Sequence, residues 1–455
     1  MRITNLELHH FRGFEHLALE FSKEANVIVF IGENGRGKTS ILDAIAKLLE
    51  VHLLQSYSVG AKEGIKHKAT DVANGSLDKE LKLLLKVMYD IEDNSVTYYG
   101  GYDIYERSPY LSIQNPLNLT LYYHQRKSTK LSFLEFIKPQ HKVKGVSFGE
   151  GIALDTWNLC KKRYEAANTP YNDAFGIDLT DSNTTQKNFE AWFLNLENKE
   201  LQTIVEEENF KYRLPELEVF RATIKAFYNN LNDTQFDDIK GQREKGGKLF
   251  DRTNDWIELR KNEARIRLNQ LSSGEQALLM LVTDITRRLL DITENPTAEK
   301  IQQSKGIVLI DEIDNHLHPK WQRNVLPTLV KTFPKIQFIV TTHSPLVISN
   351  LLPAEEVENG AIEKAVVYNL TTEGAKQIKT IGRDVSSVLN DFFGVERRSM
   401  LFQKKIDSLF AGFEEDTINV TQLKQQLTEL QQLLGTSDPD VQSAETILNS
   451  LEQED

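Results

Sequence analysis

Residues 26–50 read NVIVFIGENGRGKTSILDAIAKLLE, and this stretch decides the fold class. It opens with a short, mainly apolar run, Asn26–Ile31, whose length and composition predict a buried β-strand. A glycine-rich loop follows over Gly32–Gly37, and from Lys38 onward apolar residues recur with helical spacing. Strand, glycine loop and helix in this order are the context that a phosphate-binding loop requires, so the stretch predicts an α/β fold.

The loop fits the pattern G-x-x-x-x-G-K-[ST] over Gly32–Thr39. Its glycines permit positive φ and let backbone N–H groups close around phosphate oxygens at the start of a helix. We expect Lys38 to reach the β- and γ-phosphates of ATP, and the Thr39 hydroxyl to bind Mg²⁺. The predicted nucleotide-binding residues of the loop are Gly32, Glu33, Asn34, Gly35, Arg36, Gly37, Lys38, Thr39 and Ser40.

A second apolar run, Gly306–Ile310, ends in two carboxylates, Asp311 and Glu312. The C-terminal edge of such strands is where α/β sheets bind ligands. We expect Asp311 to hold Mg²⁺ through its water shell and Glu312 to polarise the attacking water as the catalytic residue. Taken alone, the run would fit a buried strand that ends in a solvated acidic turn. Beside a phosphate-binding loop it predicts the catalytic edge of an ATPase.

Two further segments resemble motifs of the ABC-type ATPase superfamily. Leu271–Glu275 (LSSGE) stands at the head of a long helix, and Phe338–Thr342 is an apolar strand that leads into His343. Taken alone, the first would be explained equally well by a plain helix cap, and a lone histidine at a strand end is more often structural. The resemblance implies that His343 contacts the γ-phosphate as a catalytic residue. It also implies that three residues complete the nucleotide site of a neighbouring subunit, namely Ser273, Gly274 and Glu275.

Weaker resemblances concern two single residues and one loop. Arg12 resembles the basic residue that touches the nucleotide in SMC- and RecF-like heads, and Gln125 resembles their Mg²⁺-sensing glutamine. Asp314–His318 resembles the loop that crosses the dimer interface in the superfamily. His316 and His318 alternate like zinc ligands, but no third ligand stands near them in the sequence. We therefore interpret this loop as an interface segment.

Composition excludes several classes of protein. Hydrophobic residues make up 40% and charged residues 26%, as in an average globular protein. No window approaches 18 uninterrupted apolar residues, so we expect neither a membrane span nor a membrane partner. The single cysteine, Cys160, excludes an intramolecular disulfide and a four-cysteine zinc site. With no apolar leader at the N-terminus, these features predict a cytoplasmic protein.

The predicted organisation is an ABC-type head, a mixed P-loop sheet, with an inserted helical subdomain and a C-terminal helical tail. The head comprises residues 1–125 and 269–398, and the insertion comprises 126–268, with helices at Phe189–Glu197, Phe220–Leu231 and Trp256–Leu268. The tail, 399–455, contains three basic and eleven acidic residues and so holds most of the net charge of −12. Strands are predicted in the first half of the head at Leu81–Ile91, Val96–Tyr99 and Leu117–Tyr123.

Two stretches narrow the resemblance, LIDEIDNHLHPKWQR at 309–323 and DFFGVERR at 391–398. With them the chain resembles the PtuA-type ATPases of Septu and retron anti-phage systems. The resemblance implies ATP and Mg²⁺ as cofactors and a homodimer or larger even-numbered oligomer. It also implies a separate HNH nuclease as partner, with DNA reached through the complex. Too few residues follow Asn369 for a nuclease module within this chain. The insertion and the acidic tail would then offer the surfaces on which a separate nuclease docks.

Two other functions fit the same motifs. A RecF- or SMC-like DNA-repair ATPase would clamp duplex DNA directly, and basic segments at 62–68, 243–248 and 260–267 motivate this alternative. The negative net charge argues against non-specific nucleic-acid binding, although it leaves room for a local basic groove. A nucleotide-gated switch that barely turns over would also keep every motif, because intact motifs do not set a rate.

Overall fold

The structure is a computed structural model, and it describes residues 2–46, 81–88, 95–103, 108–114, 133–137, 182–231, 236–242, 256–293, 295–396, 398–413 and 419–454. The chain divides into two units, Met1–Arg383 and Asp384–Asp455. The described strands all lie in the first unit. They are β1 (Arg2–Phe11), β2 (Phe14–Glu20), β3 (Val27–Gly32), β4 (Leu81–Met88), β5 (Ser95–Asp103), β6 (Ser108–Gln114), β7 (Phe133–Ile137), β8 (Phe236–Gln242), β9 (Trp256–Lys261), β10 (Ala264–Arg267), β11 (Gly306–Ile310), β12 (Ile336–Thr341), β13 (Ala365–Thr371) and β14 (Gly374–Ile378).

Helices of the first unit lie between these strands. Those described are α1 (residues 38–46), α2 (Ser182–Glu206), α3 (Pro215–Asn230), α4 (Ser273–Ile292), α5 (Ala298–Gln303), α6 (Pro319–Thr332), α7 (Pro345–Ser349) and α8 (Ala354–Glu358). Among the helices that the structure describes, none combines the length and the apolarity needed to cross a lipid bilayer.

A six-stranded mixed sheet carries the predicted strands of the ATPase head, in the order β14-β13-β3-β12-β11-β7. Strand β3 pairs in parallel with β12 and β13, and β11 pairs in parallel with β12 and β7. β14 pairs antiparallel at the edge. Strands β3, β11 and β12 are buried over their whole length, which explains their unbroken apolar sequences. The predicted α/β class with a mixed P-loop sheet is confirmed.

A second, antiparallel sheet has the order β2-β1-β4-β5-β6. Its first hairpin joins β1 to β2 through a tight turn at Arg12 and Gly13, with Phe11 opposite Phe14. Leu6 and Leu8 are buried on the face of β1 that packs into the core. Strands β4 and β5 confirm the strand pair predicted near residues 81–99. The strand predicted at Leu117–Tyr123 lies outside the described residues.

The insertion contains two of the three predicted helices. Helix α2 includes Phe189–Glu197, and α3 covers most of Phe220–Leu231. They pack through an aromatic cluster in which the ring centroids of Phe189 and Phe193 lie 6.0 Å and 5.7 Å from that of Phe220. From the same region of the sequence, β7 joins the edge of the six-stranded sheet.

The helix predicted at Trp256–Leu268 is wrong, because this segment forms the hairpin of β9 and β10 in a three-stranded sheet, β10-β9-β8. Ile257 and Leu259 are buried while their neighbours are at least partly exposed, so the segment has the two-residue period of a strand. The two connecting residues, Asn262 and Glu263, have φ of 48° and 65°. That is the left-handed backbone of a two-residue hairpin turn.

The second unit is helical, with α9 (Val385–Phe393), α10 (Met400–Phe413), α11 (Val420–Leu434) and α12 (Pro439–Glu454). The predicted helical character of the tail is confirmed. Their buried side chains form one core, made of Ile406, Leu409, Leu423, Leu427, Leu430, Val441, Ala444 and Leu448. The unit begins at Asp384 rather than at the predicted 399. A reason is visible at Arg398, whose guanidinium lies 2.7 Å from both Asp438 and Asp440.

Candidate nucleotide-binding and catalytic site

The glycine loop between β3 and α1 has the backbone that its sequence predicts. Gly32, Gly35 and Gly37 have φ of 143°, 80° and 89°, which other residues rarely adopt. A Cβ on Gly32 would lie 2.6 Å from the carbonyl oxygen of Leu370, and one on Gly37 would lie 2.5 Å from Cζ of Phe14. The loop is therefore held against β13 and the β1–β2 hairpin, and glycine is required for both conformation and space.

Lys38 lies at the start of α1 with its side chain turned back over the loop. Its ammonium donates to the carbonyl oxygens of Gly32 at 2.8 Å and Glu33 at 2.9 Å, and the residue is only 7% exposed. Burial lowers the pKa of Lys38, against the opposing effect of the carboxylates of Asp311 and Glu312. The ammonium thus sits among the carboxylates of the site, on the loop where phosphate oxygens are expected.

Asp311 joins the loop to the end of β11. Its Oδ2 accepts a hydrogen bond of 2.9 Å from the Thr39 hydroxyl, and its Oδ1 accepts one of 2.6 Å from the Thr341 hydroxyl. The residue is 3% exposed, so its carboxylate has a fixed orientation. Hydroxyl and carboxylate oxygens are ligands that Mg²⁺ prefers. Two of the residues predicted to hold Mg²⁺, Thr39 and Asp311, are thus in contact and fit that ion.

Glu312 follows Asp311 in a left-handed backbone conformation, with φ of 54°. Such a conformation costs a non-glycine residue about 1–3 kcal/mol and is concentrated at functional sites. It is held by the Glu312 N–H, which donates to Thr341 Oγ1 at 2.7 Å, and by Asn315, whose amide donates to Glu312 Oε2. Thr341 therefore holds the Asp311 carboxylate and the backbone of Glu312, and Asn315 holds the Glu312 carboxylate. The side chains that position Glu312 are not predicted from the sequence, because they come from β12 and from the loop that follows β11.

His343 lies beyond the end of β12, near the same edge of the sheet. The carboxylate of Asp314 accepts hydrogen bonds from Thr342 Oγ1 at 2.6 Å and from the His343 N–H at 3.2 Å, so it fixes this turn. Burial lowers the pKa of His343, and the Lys38 cation lowers it further. The imidazole is therefore neutral near pH 7 and can both donate and accept a hydrogen bond.

The LSSGE segment forms the start of α4, and its residues have different tasks. Ser272 is the N-cap, and Glu275 completes a capping box by accepting from Ser272 N at 2.9 Å and Ser272 Oγ at 2.8 Å. The carboxylate of Glu275 also pairs with Lys261 of β9. Glu275 therefore has a structural role in addition to its predicted contact with the nucleotide. Ser273 is exposed at the helix start.

Gly274 brings α4 against the loop that follows Glu312. A Cβ at this position would lie 2.4 Å from the carbonyl oxygen of His316, a distance that no side chain tolerates. His316 itself has φ of 61°. The segment predicted to reach a neighbouring subunit and the predicted interface loop, Asp314–His318, are therefore in direct backbone contact within one chain.

The remaining predicted residues have distinct positions. Arg12, in the turn of the β1–β2 hairpin, pairs with Asp43 of α1 at 2.6 Å, so it lies against the helix that follows the loop. Glu33 and Arg36 pair with each other on the loop surface. Asn34 lies exposed at the tip of the loop, and Ser40 follows Thr39 in α1. Gln125 lies outside the described residues.

Comparison with known proteins found sequence relatives and similar solved structures. The chain is 28% identical to "Retron Ec83 probable ATPase" of Escherichia coli over 388 residues, covering 76% of this chain and 69% of that protein. It is 23% identical to "Septu protein PtuA" of Bacillus thuringiensis, covering 96% and 95%. A solved "SMC head domain from Thermotoga maritima" is 17% identical, with 83% of this chain and 99% of that one covered and a TM-score of 0.38.

A family profile spans most of the chain. It matches residues 27–349, from the strand before the glycine loop to the helix after His343. Every side chain of the described site except Arg12 lies inside that range. The chain is an ATPase that belongs to the family described as "AAA domain, putative AbiEii toxin, Type IV TA system".

Proposed function

We propose that the chain is the ATP-binding and ATP-hydrolysing sensor and scaffold of a bacterial anti-phage defence complex, which assembles with and controls a separate HNH nuclease. The observation that carries the ATPase part is the contact of Thr39 with Asp311 beside a strained, hydrogen-bonded Glu312. The defence role is supported by relatives whose names are "Retron Ec83 probable ATPase" and "Septu protein PtuA".

The described side chains divide the chemistry among them. The backbone N–H groups of the loop and the Lys38 ammonium would bind the β- and γ-phosphates of ATP. Thr39 and Asp311 would hold Mg²⁺, which supplies neutralisation of charge on the transferred phosphoryl group. Glu312, aimed by Asn315, would orient the attacking water and accept its proton. The neutral His343 would donate a hydrogen bond toward the γ-phosphate.

A second copy of the chain would complete the site. Ser272 and Glu275 form the capping box of α4, so the cap does not require the exposed Ser273 hydroxyl, which we assign to the γ-phosphate bound by the partner. Because Gly274 is in contact with His316, phosphate bound at Ser273 would change the position of the loop after Glu312.

Mixing two inactive variants tests the shared site. Lys38→Ala removes the loop cation, and Ser273→Arg blocks the start of α4, so each variant alone should lose turnover. In a mixed dimer one site is intact, and statistical mixing should restore about a quarter of the wild-type ATPase rate. The control is the double variant, Lys38→Ala/Ser273→Arg, mixed with either single variant, because no dimer in that mixture contains an intact site. No recovery in the mixture of single variants, with both proteins folded, would show that the site is not shared.

The second unit is our candidate for docking the nuclease. It has its own core and exposes large apolar side chains at Val395, Met400, Leu401 and Leu433. Residues 399–455 carry three basic and eleven acidic residues, so a basic partner surface would be complementary.

Deletion of the whole unit, residues 384–455, is the direct test. A cut at 399 would leave α9 behind and remove Asp438 and Asp440 from Arg398, whereas a cut at 384 follows the boundary between the units. We expect ATP binding to survive and capture of a neighbouring HNH nuclease, measured by mass photometry, to be lost. The full-length variant Leu401→Ser keeps the unit but removes one of its exposed apolar side chains, so it should weaken capture of the nuclease. Equal capture of the nuclease by the intact and truncated chains would rule out the second unit as its docking site.

Direct clamping of duplex DNA, the repair-ATPase alternative, has less support from the described residues. Arg260 lies 3.5 Å from Asp237, and Arg265 lies 3.7 Å from Glu258, so these cations of the β8–β10 sheet face carboxylates. If the isolated chain nevertheless bound duplex DNA with an affinity that fell steeply with salt, the repair alternative would be favoured.

A further inference from the structure

A group of three potential metal ligands lies on the β1–β2 hairpin, away from the residues assigned to ATP. Glu7 and His9 are two residues apart on β1, so they share one face of the strand, and His16 of β2 is directly opposite His9. That face is the accessible one, since the side chains of Glu7, His9 and His16 are 37%, 33% and 56% exposed.

The three donor atoms already converge. His9 Nε2 lies 2.6 Å and His16 Nε2 lies 3.5 Å from the same oxygen, Glu7 Oε1, and one ligand atom from each residue lies within 4.8 Å of the other two. The centroids of the two imidazole rings are 4.6 Å apart. Zinc binds nitrogen and oxygen at about 2.0–2.2 Å, so two ligands of a tetrahedral ion lie about 3.3 Å apart. Small side-chain rotations therefore suffice to admit an ion.

We propose that Glu7, His9 and His16 form a site for a divalent transition-metal ion of the zinc class, in addition to the ATP site. Two imidazoles and one carboxylate are a donor set that suits Zn²⁺, whereas Mg²⁺ and Ca²⁺ prefer oxygen ligands alone. Three protein ligands leave the fourth tetrahedral position to water. The sequence hides this site, because one ligand comes from a different strand and the spacing matches no contiguous motif.

The proposed metal site lies beside the turn of the β1–β2 hairpin, which contacts the nucleotide-binding loop. His9 and His16 are the cross-strand pair next to Phe11 and Phe14, which flank the turn that contains Arg12. Phe14 packs on Gly37 of the glycine loop, and Arg12 pairs with Asp43 of α1. A bound ion would cross-link the two strands immediately before this turn and so hold the turn against the nucleotide-binding loop.

Calorimetric titration of the full-length, EDTA-treated protein with ZnCl₂ tests the proposal. The chain has ten histidines, so the informative quantity is the difference between wild type and the double variant His9→Gln/His16→Gln. We expect wild type to bind one more equivalent of Zn²⁺ than the double variant. Glu7→Gln keeps a hydrogen-bond acceptor but loses the charge, and it should weaken this equivalent by at least about tenfold.

His10→Asn is the matched control, because it removes a neighbouring imidazole at a position whose φ of 53° asparagine tolerates. It should leave the extra equivalent in place. A second readout is thermal unfolding, in which Zn²⁺ should raise the midpoint of wild type and of His10→Asn more than that of the double variant. Equal stoichiometry and equal thermal shifts in wild type and the double variant would overturn the proposal. Loss of the equivalent in His10→Asn as well would also overturn it.

Discussion

The Thr39 hydroxyl donates a hydrogen bond of 2.9 Å to Asp311 Oδ2, although 272 residues separate the two in the sequence. This contact joins the start of α1 to the end of β11 and places both oxygens at one edge of the six-stranded sheet. Thr341 holds the other oxygen of Asp311 at 2.6 Å. The carboxylate is therefore oriented before any ion binds.

Replacing Asp311 should remove the Mg²⁺ dependence of nucleotide binding. Asp311→Asn keeps the size of the side chain and part of its hydrogen bonding but removes the charge that would hold the ion. We expect ATP affinity to be the same with and without Mg²⁺ in this variant, whereas Mg²⁺ should raise the affinity of wild type. Titration calorimetry measures this difference. Glu373→Gln, at an exposed carboxylate between β13 and β14, is the control. A Mg²⁺ effect of wild-type size in Asp311→Asn would refute the assignment.

Gly274→Ala should separate nucleotide binding from turnover. The added methyl would meet the carbonyl oxygen of His316 at 2.4 Å, so either α4 or the loop after Glu312 must move, at a cost of about 1–3 kcal/mol. We expect a lower midpoint of thermal unfolding and a loss of ATP hydrolysis, with ATP binding at the glycine loop retained. Gly13→Ala, where an added methyl meets open space, is the control for stability. Wild-type hydrolysis by Gly274→Ala would show that this contact has no role in the reaction.

His343 should make the protein less stable in mild acid. Burial, aided by the Lys38 cation, lowers the pKa of its imidazole below the ordinary 6.5, so the unfolded chain binds the proton more readily than the folded one. Above about pH 7.5 both states are neutral and the effect vanishes. Below the ordinary pKa, folding loses free energy until the lowered pKa is reached.

Chemical denaturation of wild type and His343→Gln between about pH 7.5 and 5.5 measures this loss. Wild type should lose more free energy of unfolding over that range than His343→Gln does. His318→Gln, an exposed position at the start of α6, should behave like wild type. Parallel curves for wild type and His343→Gln would contradict the predicted direction of the pKa shift.

Asp438 should stabilise the second unit without affecting the ATPase site. Its carboxylate accepts two hydrogen bonds from Arg398, at 2.7 Å and 2.8 Å, and one of 3.0 Å from the Asp440 N–H at the start of α12. Asp438→Ala should therefore cost the unit about 1–2 kcal/mol, most of it through the lost helix cap. Hydrogen exchange should show faster opening of α10, α11 and α12, with ATP binding unchanged. Asp407→Asn, at an exposed carboxylate of α10, is the control, and equal exchange in both variants would disprove the role.

The sequence predicted those parts of the site that are contiguous in the chain. The glycine loop, the strand before Asp311 and the strand before His343 each carry their own apolar run and their own polar end. It did not reveal Thr341 or Lys261, because each acts on a residue of another segment through a contact that only the fold creates. Nor did it reveal Asn315, whose contact with Glu312 depends on the turn between them. The sequence does not distinguish the hairpin at Trp256–Arg267 from a helix, because its charged residues are as common on helices as on exposed strand faces. The alternation of Ile257 and Leu259 with polar residues is the strand signal in this segment.

The most direct test of the account is nucleotide turnover by wild type and Glu312→Gln, measured as phosphate release and as ATP retained after gel filtration. If Glu312 orients the attacking water, the variant should hydrolyse ATP about 10²- to 10⁴-fold more slowly, retain bound ATP and accumulate as a closed dimer in mass photometry. Wild type should release phosphate and retain little ATP. Equal turnover and equal oligomeric state in the two proteins would contradict the assignment of this site as the catalytic centre of an ATPase.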